Sequence, residues 1–254
     1  MRRLLLHIAN WPKGIRFYIG LASLVLTAEA YWWARSVYGD ASTGIIRLQE
    51  VYAWIALGLI VVTLAIGPLC SLFPGLPGKA VLRDARRLLG VSAAWFAGWH
   101  VGISYINQFH AANPLHLPGV YQRAFAIGLV AFIILLALAI TSFDGAFRGL
   151  GRWWFRLHRL IYVAVLLILG HAFMIGVHAT SWAFIGSLTA AVALLFAAHF
   201  YLGFGPGREP TTLRSFILCY GLLVTIAVFA YGYTQHLNLS DIEGSNKGGQ
   251  YGLR

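Results

Sequence analysis

Three histidines of this chain could bind a metal from inside a membrane. His100, His158 and His171 lie within or at the ends of long apolar segments, and the last two are thirteen residues apart on one segment. An ionisable side chain at membrane depth is costly and therefore marks a functional site by default. Imidazole is the commonest protein ligand for transition metals and also binds haem iron. The pattern therefore predicts a metal site, with haem iron as the leading candidate.

The composition indicates which elements position these histidines. Hydrophobic residues make up 59% of the 254 residues, charged residues make up 11%, and the mean hydropathy is +0.72. No ordinary soluble domain has this composition, and apolar segments of about 20 residues cross a bilayer as helices. We therefore predict an all-α, polytopic transmembrane helix bundle over residues 1–236, followed by a short outer tail at 237–254. Its seven spans are predicted near 16–37, 48–70, 87–109, 122–143, 154–177, 180–203 and 214–236.

The formal net charge of +11 follows the membrane and does not indicate a nucleic-acid partner. If the N-terminus is cytoplasmic, 14 of the 19 Lys and Arg residues lie in the inner connections and 5 lie outside. The positive-inside rule then predicts the N-terminus inside and the C-terminus outside, in contact with membrane lipids. Because MRRLLLHIANWPKG has only a short apolar run, broken by Pro12, we expect the first span to be retained.

The depths of the histidines predict an outer site. With a rise of about 1.5 Å per residue, His100 lies about 20 Å along the third span from Arg87, and His171 lies about 20 Å beyond His158 on the fifth. His100 and His171 therefore share a depth and could bracket one haem iron as axial ligands. The alternative is two core histidines that are hydrogen-bonded to backbone or hydroxyl groups.

His158 predicts a second, inner site close to the cytoplasmic face. His199, near the inner end of the sixth span, is at a suitable depth to be the opposite ligand. On an ideal helix, however, thirteen residues leave His158 and His171 about 140° apart. Helix tilt, a local irregularity or approach to the haems from different sides would reconcile the two positions.

Several charged residues could serve these sites. Arg86, Arg87 and Arg159 lie at the inner depth and Arg123 lies at the outer face, where guanidinium groups could pair with haem propionates. Alternatively, these arginines only set the topology. Glu29, about two-thirds of the way along the first span, could take a proton from a quinol or pair with a neighbouring hydroxyl or arginine.

Three segments carry a resemblance to a known family. They are RRLLGVSAAWFAGWH (Arg86 to His100), ILLALAITS (Ile134 to Ser142) and RWWFRLHRLIYVAVLLILGH (Arg152 to His171). These segments resemble the ferric-reductase-like transmembrane domain family and, within it, the haem-binding membrane subunits of periplasmic methionine sulfoxide reductase systems. The likeness runs from about Ile66 to Ile175.

The resemblance implies a ligand set. The haem-ligand histidines of the family match His100, His158 and His171, and the implied cofactor is haem b, one or two per chain, held without the covalent C-x-x-C-H motif. The chain departs from larger relatives in having Arg86 and Arg87 where those proteins carry another histidine. It also departs from the typical six spans of the short subunits through the predicted seventh span at 214–236.

The resemblance also implies a function. The chain has no G-x-G-x-x-G after a strand and so no nicotinamide site of its own. Electrons are therefore expected from a quinol in the quinone pool or from a separate flavin reductase with FMN, and are expected to pass to a periplasmic partner reductase. The chain would then be an electron-transfer subunit of an oxidoreductase in the bacterial inner membrane, without a complete active site. The alternative is a structural or assembly subunit of a larger respiratory or photosynthetic complex, with the haem as a relay or lost.

Overall fold

The computed structural model describes residues 12–39, 41–73, 75–108 and 119–175, with four isolated positions at 192, 193, 195 and 197. Every regular element in these ranges is helical, which confirms the all-α prediction for the described part of the chain. A short π-helical turn, Ser104–Gln108, follows α3 directly. The α-helices are α1 (Pro12–Tyr38), α2 (Ser42–Leu72), α3 (Lys79–Ile103), α4 (Gly119–Ile140), α5 (Asp144–Leu150), α6 (Arg152–His158) and α7 (Leu160–Ile175).

Helices occupy the first five predicted spans. Within the described residues, three helical segments are long and apolar enough to cross a membrane, namely Ser42–Leu72, Tyr121–Ile140 and Arg152–Met174. Except for the four isolated positions, the predicted spans at 180–203 and 214–236 lie outside the described residues, as does the tail at 237–254. The total of seven spans and the orientation of the termini therefore stay predictions.

Helix α3 is the centre of the described bundle. It packs against α1, α2 and α4, while α4 packs in turn against α7. Small residues make the close contacts, because Ala93 on α3 and Ala164 on α7 are fully buried in one core cluster. A second cluster joins Tyr52 of α2 to Phe96 of α3. Small buried residues allow membrane helices to approach closely, so this pattern brings the four helices near the histidines into one packed unit.

Hydrogen bonds from hydroxyl and indole groups join α1 to α2 and α3. Ser23 donates to Ser92 at 2.8 Å, and the Tyr52 hydroxyl donates to the backbone oxygen of Thr27 at 2.9 Å. The Trp95 indole N–H donates to the Thr27 hydroxyl at 3.0 Å. In an apolar surrounding a polar group needs such an internal partner, so these bonds specify how α1 sits on the other two helices.

An ion-pair cluster lies at one end of the bundle. Asp144, the first residue of α5, accepts hydrogen bonds from Arg16 of α1 at 3.2 Å and from Arg87 of α3 at 2.5 Å. The hydrogen bond from Arg16 and then the charges of both guanidinium groups hold the pKa of this exposed carboxyl below its ordinary value. The beginning of α1, the first half of α3 and the α4–α5 connection therefore lie at the same end of the bundle.

Candidate functional site

The structure brings His100 and His171 together. His100 lies on α3 and His171 on α7, and the centroids of their rings are 6.1 Å apart with the ring planes at 83°. The residues are 71 positions apart in sequence, so only the packing of α4 against both α3 and α7 makes them neighbours. His100 and His171, predicted to share a depth, are therefore neighbours, and their role as haem ligands stays a prediction.

Each of the two imidazoles is held by a backbone carbonyl of a neighbouring helix. His100 Nδ1 lies 3.0 Å from the Gln49 oxygen on α2, and His171 Nδ1 lies 2.9 Å from the Ala124 oxygen on α4. A carbonyl oxygen only accepts, so each Nδ1 carries the proton and donates it. The lone pair of a neutral imidazole is then on Nε2, which is the arrangement found in metal-ligating histidines.

The spacing of the two rings fits a shared metal ion. A metal–nitrogen distance of about 2.0 Å and about 1.1 Å from nitrogen to ring centroid would place two axial imidazoles about 6.2 Å apart. The observed separation is 6.1 Å. The described residues contain no group of three His, Cys, Asp or Glu side chains that could hold a metal ion. Neutral imidazole nitrogens are common ligands of haem iron, so the pair is a donor set that could hold this group.

The Ser104 hydroxyl, at the end of α3, contacts both His100 and Gln49. The Ser104 hydroxyl lies 2.7 Å from the His100 backbone oxygen and 3.2 Å from the side-chain oxygen Oε1 of the buried Gln49. Ser104 begins the π-helical turn, and such turns are frequent at functional sites. Gln49 and Ser104 were not among the predicted site residues, because the sequence signals neither a backbone acceptor nor a π-helical turn.

His158 occupies a different environment at the junction of α6 and α7. Its ring stacks on Trp154, with 3.7 Å between centroids and an angle of 22°. Its Nδ1 lies 3.1 Å from the Trp154 backbone oxygen, and its Nε2 lies 3.3 Å from the Ser142 hydroxyl. His199, the predicted opposite ligand, lies outside the described residues. His158 is thus placed away from the pair formed by His100 and His171.

The helix that carries His158 and His171 has a local irregularity between them. The amide of Arg159 bonds to the Arg156 oxygen, and the amide of Tyr162 bonds to the Arg159 oxygen, three residues back in each case. Where hydrogen bonds connect residues three apart, the chain rotates about 120° per residue instead of about 100°. Three such residues would reduce the angle between His158 and His171 around the helix axis from about 140° to about 80°. The predicted span at 154–177 is therefore divided at Arg159 into α6 and α7, and such a turn would bring the two histidines closer to one face of the helix.

The predicted propionate partners differ in their surroundings. Arg87 pairs with Asp144, and its guanidinium lies over the rings of Phe147 and Trp154 at 5.2 and 5.6 Å. Arg86 is half-buried on the same turn of α3, whereas the remaining two arginines, Arg123 and Arg159, are exposed.

Glu29 also has an exposed position. It lies among apolar residues of α1 that face away from the other described helices.

The chain is similar to known proteins over this same region. The family profile described as ferric reductase like transmembrane component matches residues 52–169, which include His100 and His158 and end two residues before His171. No solved structure matches the chain.

Several relatives bear the name protein-methionine-sulfoxide reductase heme-binding subunit MsrQ, among them the following two. The one from Xanthomonas campestris pv. campestris (strain 8004) is 33% identical over 154 residues, which cover 59% of this chain and 69% of that protein. The one from Cronobacter sakazakii (strain ATCC BAA-894) is 36% identical over 136 residues, which cover 50% of this chain and 66% of that protein. The family profile matches residues 52–169, and the first relative is 33% identical with 69% of its length covered. The chain therefore belongs to the ferric-reductase-like transmembrane family.

Proposed function

We propose that this chain is a haem-binding membrane subunit that passes electrons across the bilayer to a partner reductase. The observation that carries the proposal is the pair His100 and His171, with ring centroids 6.1 Å apart and both Nδ1 atoms held by carbonyls. The relatives named as heme-binding subunits support the same cofactor. A bound haem b would supply a one-electron carrier that the side chains of a helix bundle cannot provide.

The residues of the chain would bind and orient this carrier. His100 and His171 would hold the haem iron, and the carbonyls of Gln49 and Ala124 would set the tautomer and the direction of each ring. A hydrogen bond donated by Nδ1 to a carbonyl also raises the basicity of Nε2, the nitrogen that would bind the metal. The fully buried Phe96, one helical turn before His100, would help to exclude water from the interface between α2 and α3.

An inner haem is the second part of the proposal. His158 has its Nδ1 on a carbonyl, as the other two histidines have, so that its Nε2 is the candidate ligand atom. We propose His199 as the opposite ligand and Arg86, Arg87 and Arg159 as the propionate partners, with Arg123 at the outer haem. Two haems at different depths would give electrons a route through the membrane.

The proposed donor is a quinol or a separate flavin reductase, and the proposed acceptor is a periplasmic reductase. The name of the relatives refers to a methionine sulfoxide reductase, which makes that class of enzyme the first acceptor to test. Glu29 is proposed to receive a quinol proton, because its carboxylate lies on an apolar, exposed face of α1 where a membrane-dissolved quinol has access.

The decisive experiment is a reduced-minus-oxidised absorption spectrum with haem quantitation on the purified full-length protein. The variants are His100→Ala, His158→Ala and His171→Ala, with His7→Ala, before the first predicted span, as the matched control. We expect loss of one haem with either His100→Ala or His171→Ala, and loss of a different haem with His158→Ala. Retention of every haem in His100→Ala and His171→Ala would refute the outer ligand pair, and absence of haem from the wild type would refute the function.

A second experiment tests the direction of electron flow. The haem-loaded protein is reduced with a quinol, and a purified periplasmic methionine sulfoxide reductase with its substrate is then added. Reoxidation of the haem that requires both additions supports the proposed acceptor. Haem that is present but is not reoxidised would instead favour the structural or assembly alternative.

A further inference from the structure

The backbone oxygen of Ala124, which accepts the hydrogen bond from His171, is accessible because the residue four positions later in the chain is a glycine, Gly128. In a helix, the side chain of a residue lies beside the backbone oxygen four residues earlier, which is why Ser and Thr can bond to that oxygen. The residue four positions after Ala124 is Gly128, and the residue four positions after Gln49 is Ala53. Both carbonyls that receive a histidine are therefore flanked by one of the two smallest residues.

Gly128 has no room for a side chain. A Cβ atom built at this position would lie 2.6 Å from Nδ1, 2.8 Å from Cε1 and 3.2 Å from Cγ of His171. Contacts below 3.0 Å do not occur for real Cβ atoms, and the obstacle is a flat ring bonded to a carbonyl, which cannot bend away as a long side chain does. An alanine at position 128 would therefore displace the imidazole of His171.

Among the described helical glycines, only Gly128 would bring a Cβ atom closer than 3.0 Å to another residue; the next tightest, Gly44, would place it 3.0 Å from Tyr38 Cβ. A Cβ atom at Gly20, Gly58 or Gly102 would meet nothing within 4 Å, and at Gly98 the nearest atoms would be 3.9 Å away on Phe132. Glycine lowers helix stability relative to alanine. Its presence at position 128 is explained by the close approach of the His171 ring.

We infer that Gly128 is a positioning residue for His171. Its missing side chain exposes the Ala124 carbonyl and lets the imidazole lie against α4, with Nε2 left for the metal shared with His100. This inference rests on the proposed function for the metal, but the contact between Gly128 and His171 can be tested without it.

The first test compares Gly128→Ala with Gly58→Ala in the full-length protein. Both substitutions add the same methyl group to a helix, and only the first meets a ring. We expect Gly128→Ala to lose most of the haem that His171→Ala loses and to shift the absorption bands of any haem that remains, while Gly58→Ala keeps the wild-type spectrum. A wild-type spectrum and haem content in Gly128→Ala would overturn the inference.

The second test is a double-mutant cycle on thermal stability in detergent, measured on haem-free protein with Gly128→Ala, His171→Ala and the double variant. We expect Gly128→Ala to lower the melting temperature when His171 is present and to leave it unchanged or raise it when the ring has been removed. Additive effects would overturn the inference even if the protein binds haem. A non-additive cycle in a protein that binds no haem would instead refute the proposed function and leave the packing role of Gly128 standing.

Discussion

Phe96 is the position where the packing behind the site can be tested most directly. Its ring is 0% exposed, lies 5.8 Å from the ring of Tyr52, and is one helical turn before His100 on the same face of α3. The lipid around a membrane protein is as apolar as its core, so truncation in this setting loses packing but little hydrophobic transfer energy. Phe96→Ala removes about 100 Å³ of side chain, and at about 24 cal/mol per Å³ of unrelaxed cavity the expected loss is about 2.4 kcal/mol.

The matched control is Ile133→Ala on α4, where the side chain is 55% exposed and lipid can fill the space left behind. Its expected effect is within about 0.5 kcal/mol. Equilibrium unfolding in detergent measures both variants, and haem content reports whether α3 still presents His100. Equal losses for the two variants would refute the argument that α2 and α3 are held together here by close packing.

Two further predictions concern polar contacts between helices. Ser92→Ala removes the buried hydrogen bond to Ser23 and is expected to destabilise the protein by about 0.6 kcal/mol in the same unfolding assay, so that a loss of several kcal/mol would contradict an ordinary interhelical bond. Asp144→Asn is expected to weaken the acid sensitivity of the protein. Because Arg16 and Arg87 hold the folded-state pKa of Asp144 below its ordinary value, its contribution to stability is present above about pH 4 and is lost as the pH falls through the folded-state pKa. Melting temperatures between about pH 6 and pH 3 should therefore fall less in the variant than in the wild type, and parallel curves would show that Asp144 does not contribute.

The sequence predicted the helical elements well because their signal is local. Apolar segments of membrane length indicate spans wherever they occur, and the first five predicted positions all contain helices. The bounds were less accurate, since α3 begins at Lys79 and not near residue 87. The charged first turns of α3 are helical without being apolar, and a search for apolar runs does not detect them.

The sequence also indicated which histidines to compare. Counting residues along two spans gave His100 and His171 the same depth, and the structure places their rings next to each other. The helical repeat also predicted that His158 and His171 lie on different faces of one ideal helix. It did not predict the tighter turn at Arg159, because hydrogen bonds between residues three apart depend on the packing around them.

Residue types and their spacing along the chain thus determined that this is a helical membrane protein with imidazoles at membrane depth, since hydropathy and helical rise depend only on the local sequence. Tertiary structure alone decided which atoms orient those imidazoles. The acceptors are the main-chain oxygens of Gln49 and Ala124, 51 and 47 residues away from their histidines. Every residue has a carbonyl, so no residue type signals this role, and only helix packing selects which carbonyl faces a ring.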